Sequence, residues 1–146
     1  MLPITHPLAS AENMERATRI FQKLVRFAPD LLTFEQRVIF KAEGYFSPIC
    51  LEVMESSEGY RCIQLHHCWT DRDGDPISDP RIVIAIYPDW EMAEALIYSD
   101  MFTFDEAYPV KGGPVDAKLH LTMNNFLERW LDSLLNDEII HRVAPA

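Results

Sequence analysis

Two arrangements in the sequence carry side chains able to do chemistry. The first is Cys62-x-x-x-His66-His67-Cys68, thiols and imidazoles of the kind that ligate zinc. On a strand Cys62, His66 and Cys68 share a face, but at ~3.3 Å per residue Cys62 and His66 stand about 13 Å apart. Only His66 with Cys68, or pairs that include Cys50 from a neighbouring strand, converge. No C-x-x-C is present. The expectation is buried thiols and hydrogen-bonded imidazoles, with no metal and no cofactor. The second arrangement is His120, Asn124 and Glu128, spaced one helical turn apart. If this row faces a cleft, His120 is the candidate general base and Asn124 an orienting amide. The bland alternative has Asn124 anchoring a loop and His120 on the surface.

Other motifs fail on their spacing. Asp71-Arg72-Asp73-Gly74-Asp75 opens like a calcium loop, yet Pro76 and Ile82 occupy the positions that need glycine and glutamate. A solvated turn accounts for these aspartates. No G-x-S-x-G occurs, and Cys68 beside His67 points to the opposite strand face. Gly112-Gly113 ahead of a helix could cradle an anion, but reads more simply as a flexible connector.

These residues are positioned by a chain organised around the stretch 115–139. There Leu119, Met123, Phe126, Leu127, Trp130, Leu131 and Leu134 recur at steps of three and four, one face of a helix. Each stripe residue is worth roughly 1.5–3 kcal/mol if fully buried. Trp130→Ala is therefore expected to cost several kcal/mol. An earlier helix is expected over 11–27, capped by Ser10 and stopped by Pro29, with Met14, Ala17, Ile20, Phe21 and Leu24 inward. Its Arg16, Arg19, Lys23 and Arg26 form either a docking stripe or a solvated face braced by Glu12–Arg16 and Glu15–Arg19 pairs.

Between the helices the period changes to two. Strands are expected over 37–43, 49–55, 60–69, 81–87, 91–98 and 101–107, with a turn at 44–48 and a loop over 70–80. On pattern alone 91–98 fits strand or helix. Tight connections make an antiparallel meander of five or six strands. Two one-sided helices then cover one of its faces, giving a two-layer α+β domain spanning 1–146, with 1–9 an irregular arm.

The segment Pro80 to Ala95, P-R-I-V-I-A-I-Y-P-D-W-E-M-A-E-A, and the helix Asn124 to Leu135, N-N-F-L-E-R-W-L-D-S-L-L, resemble a YqiB-like family of small uncharacterised bacterial proteins. Tyr87, Glu94, Tyr108-Pro109, Asn124, Phe126 and Trp130 are among the matching positions. The resemblance covers about the second half of the chain. It departs from the family pattern at Ala85 and Pro88, where that pattern has arginine and histidine. It implies a strand over 91–98 and a bacterial cytosolic protein, and supplies no activity.

The chain has 146 residues, a formal net charge of −10 and a pI near 4.8. That balance disfavours nucleic acid and anionic membranes as ligands. No apolar run reaches the length of a membrane span, and the N-terminal residues do not read as a secretory signal. Three cysteines without such a signal fit reduced thiols in the cytosol. Ten acids fall between Thr70 and Glu106 against only Arg72 and Arg81. They either maintain solubility or, led by Asp71, Asp73, Asp75 and Asp79, attract a basic partner protein. The expected function is thus a non-catalytic interaction or regulatory module. The alternative is a small enzyme or ligand-binding protein using the His120 row.

Overall fold

The computed structural model describes residues 6–42, 48–70, 72–110, 113–136 and 140–145, with backbone alone at 42, 69–70, 76–79 and 140–145. Of the expectations above, the first five arm residues, Glu43 and most of the following turn, Asp71, Gly112 and residues 137–139 lie outside the described residues.

Helix α1 (Ala11–Phe27) starts where Ser10 Oγ accepts the Asn13 N–H at 3.3 Å. Ala17, Ile20, Phe21, Leu24 and Phe27 are its buried face. Met14, expected inward, is 41% exposed and lies off that face.

Six strands follow: β1 (Arg37–Ala42), β2 (Ile49–Ser57), β3 (Tyr60–Thr70), β4 (Pro76–Tyr87), β5 (Met92–Ser99) and β6 (Phe104–Glu106). Each pairs antiparallel with the one before it, the meander that short connections impose. Gly59 turns the β2–β3 hairpin at φ +75°, a conformation that strains other residues. Helix α2 (Ala117–Asn136) comes next, and β7 (Ile140–Pro145) then pairs antiparallel with β1. The sheet order is β6-β5-β4-β3-β2-β1-β7. The architecture is the expected α+β, two helices with an open antiparallel sheet. β7 is an addition.

Two boundaries differ from expectation. β4 begins at Pro76, so part of the expected loop is strand paired with Cys68–Thr70. The ladder is irregular between His66 and Cys68, opposite Pro80, which has no N–H to offer it. β6 is only three residues, because Asp100 Oδ1 accepts the N–H groups of Phe102 and Thr103 at 2.8 Å and closes a turn there. Phe102 is left 92% exposed.

One core joins the layers. It holds Ile20 and Leu24 of α1, Leu127 and Leu131 of α2, and Val38, Leu51, Ile63, Leu65, Ile82, Ile84 and Ile86 of the sheet. On α2, Met123, Leu127, Leu131 and Leu134 are buried, whereas Leu119, Phe126 and Trp130 are only partly covered at the stripe's edge. In β4 every residue from Ile82 to Ile86 is buried, so both faces of this inner strand are covered there. Among the described residues no helix is long and apolar enough to cross a membrane.

Candidate functional site

Glu94 sits on β5 with an exposure of 0%. A carboxylate is tolerated there only if its oxygens are fully used, and they are. Oε1 faces His120 Nε2 at 2.9 Å and accepts the Tyr108 hydroxyl at 2.5 Å. Oε2 accepts the Tyr87 hydroxyl at 2.9 Å, and His6 Nε2 stands 4.0 Å away. Burial pushes the Glu94 carboxyl up, but the hydrogen bonds from His120 and Tyr108 outweigh it and hold it below the usual carboxylate range. The same burial, next to the Glu94 charge, drives the Tyr87 and Tyr108 hydroxyls upward. The group is therefore a carboxylate held by two neutral tyrosine hydroxyls and by His120. Five segments meet on it: the residues before α1, the end of β4, β5, the β6–α2 connection and α2. Sequence counts Glu94 among surface acids; its place between Ala93 and Ala95 in an apolar run is the signal that it is not one.

Asn124 fixes α2 against this site. β6 pairs only with Ile97–Ser99, so it does not extend along β5 to Ala95. Asn124 Oδ1 accepts the Ala95 N–H at 2.8 Å in its place, and its amide donates to the His120 carbonyl at 2.8 Å. His6 is oriented as well: Nδ1 accepts the Leu8 N–H at 3.1 Å, so the neutral ring carries its proton on Nε2, on the Glu94 side.

In front of this network lies an open pocket of about 620 Å³. Tyr60, Tyr87, Tyr108 and His6 line it with Leu96, Ile97, Glu106, Pro109 and Gly113. Tyr87 packs at 5.9 Å from Tyr60 and 5.1 Å from Trp90, an aromatic corner. No lysine or arginine is among the described lining residues.

The row His120–Asn124–Glu128 does not face one cleft. His120 and Asn124 turn into the core, and neither lines the pocket. Glu128 turns to α1, where Arg19 Nε and Nη2 donate to it at 2.8 and 3.0 Å and Lys23 Nζ at 2.8 Å. Lys23 also meets Asp132 at 2.7 Å. The partners of Arg19 and Lys23 are thus on the other helix, in place of the expected Glu15–Arg19 brace, and Arg16 donates to Asn13. Arg19's hydrogen bonds hold the Glu128 carboxyl down at about 2, against some cost of burial. A carboxyl with a depressed folded pKa stabilises fully above the ordinary carboxylate range and loses that contribution as pH falls toward 2. Glu128→Gln should cost about 1 kcal/mol at pH 6, with the gap to the parent narrowing below about pH 4.5 and closing only as pH falls through about 2 in urea unfolding.

A second cluster forms where β2 and β3 pair. Cys50 lies directly opposite His66. The donor atoms of Cys50, His66 and Cys68 all fall within 4.8 Å of one another. Three residues converge where sequence suggests only pairs, and Cys62 stays outside. Cys68 Sγ is 3.2 Å from His66 Nδ1, and His66 Nε2 is 2.9 Å from Glu52 Oε1. Burial, with Cys68 adjacent, pushes the Cys50 thiol up to about 12. Burial lowers His66, with Glu52 opposing. His67 points the other way and stacks on Trp130 at 5.5 Å.

Of the exposed acids between Thr70 and Glu106, two pairs lie at opposite ends of β4. Asp73 and Asp75 are exposed in the β3–β4 connection; Asp89 and Glu91 lie at the opposite end of β4, near Gly59. The side chain of Asp79 is outside the described residues.

Fold and site together define a small α+β domain with a carboxylate sealed beneath an aromatic pocket. A family model described as a protein of unknown function, DUF1249, matches residues 23–139. The chain belongs to that family. This corrects the resemblance to a YqiB-like segment: the family shown is DUF1249, and its match covers most of the chain and is not confined to the second half. No curated protein and no solved structure matches the chain.

Proposed function

We propose that the protein is a non-catalytic binding module that takes a cationic group, the lysine or arginine side chain of a basic partner protein, into the tyrosine-lined pocket before Glu94. The observation that carries this is the fixed negative charge of Glu94 behind a wall of tyrosine rings. Ring faces and a desolvated carboxylate both favour a cation, and each ring contributes about 0.5–1 kcal/mol at an exposed site. Glu106 at the rim adds to the same field. The pocket's openness suits a side chain presented from a partner's surface. The exposed Asp73 and Asp75 would add long-range attraction at the far end of the sheet, acting on association rate and weakening with salt. Catalysis by His120 is the poorer account, because that ring is 3% exposed and committed to Glu94. Three unpaired cysteines suit the expected bacterial cytosol.

The experiment is calorimetric titration with choline and with 3,3-dimethylbutanol, its uncharged isostere. Choline should bind and the alcohol should not, and Tyr60→Ala should weaken choline about three- to tenfold. Equal binding of the two would show a merely apolar pocket and end this reading.

A further inference from the structure

We infer that Cys50, His66 and Cys68 form a zinc site, with Glu52 as the residue that aims the histidine. The three donor atoms lie within 4.8 Å of one another. Tetrahedral zinc, with bonds of about 2.0 Å to nitrogen and 2.3 Å to sulfur, sets donors roughly 3.3–3.8 Å apart. Closing the cluster to that size is a shift of about 1 Å in the donor atoms, and Cys50 and His66 are already direct partners on paired strands. The ladder irregularity between His66 and Cys68 bends β3 where the donors meet.

The histidine's orientation is the second observation. Glu52 is an acceptor, so the ring nitrogen facing it at 2.9 Å, Nε2, carries the proton. Nδ1 is then the unprotonated nitrogen, and Cys68 Sγ lies 3.2 Å from it and 3.8 Å from Nε2, beside the ring, so that a turn of the ring aims the lone pair at the cluster. A carboxylate on one imidazole nitrogen and the metal on the other is the arrangement that fixes ligand histidines in metal sites. Nothing in the hydrophobic core calls for it. Two thiolates and an imidazole select zinc over calcium or magnesium. Three protein ligands leave a fourth position, and Cys68, the partly exposed member, marks the side from which water or an outside donor reaches it. The site is independent of the pocket before Glu94 and shares no residue with it.

The test is titration of reduced, tag-free protein with zinc and with cobalt(II), followed by circular dichroism and absorbance. One equivalent of zinc should bind, and cobalt should give thiolate-to-metal charge-transfer absorbance. Cys68→Ser should lose that absorbance, and Cys62→Ser should keep it. Glu52→Gln, at a half-exposed position, should keep the fold and weaken zinc 10- to 100-fold. Substoichiometric zinc in the folded, reduced protein would overturn the assignment. So would a Cys62→Ser variant that behaves as Cys68→Ser does, or a Cys50–Cys68 disulfide whose reduction yields no metal uptake.

Discussion

Glu94→Ala should destabilise the protein by about 3–5 kcal/mol, the cost of leaving three buried groups without their partner at about 1–3 kcal/mol each. The substitution leaves the Tyr87 and Tyr108 hydroxyls and His120 Nε2 without their acceptor, in a place where water does not replace it. It also opens a space among β4, β5 and α2. Tyr108→Phe removes a single donor and should cost only about 1 kcal/mol. Urea unfolding measures both. A loss below 1 kcal/mol for Glu94→Ala would mean that Glu94 is solvated and the network does not hold α2 to the sheet.

The second large effect separates two neighbours on α2. Leu127 is fully buried against the sheet and α1, so Leu127→Ala should cost about 3–5 kcal/mol. Trp130 lies at the stripe's edge, stacked on His67 and packed 5.8 Å from Phe126, with part of its ring exposed. Trp130→Ala should therefore cost about 1–2 kcal/mol, less than the several expected from periodicity. Equal losses would show that the edge of α2 is as deeply packed as its centre.

The layout was legible because periodicity reports burial directly. Steps of three and four located both helices, and β-branched alternation located β1 to β4, while β5 fitted strand or helix on pattern alone. Periodicity does not say how far a stripe's edge is covered, hence Met14 and Trp130. It also fails where turn chemistry overrides it, as Asp100 does in cutting β6 short. β7 is a short run ending near Pro145, and its pairing with β1 at the other end of the chain leaves no local trace.

The site was legible only in part. His120 and Asn124 stand out as polar residues beside an apolar stripe, and they do take part. Their partners come from β5 and from the approach to α2, far from them in sequence, so composition assigns Glu94 to the surface. Glu128 keeps the helical spacing of that row but lies on the flank facing Arg19 and Lys23. Cys50 joins His66 and Cys68 through strand pairing, a register that becomes definite only once the hairpin is built.

The claim that a cation is recognised before Glu94 is tested most directly by nuclear Overhauser contacts between the methyl protons of choline and the protein. Contacts to the ring protons of Tyr60, Tyr87 and Tyr108 are predicted. Contacts confined to another surface, or none with choline at millimolar concentration, would contradict it.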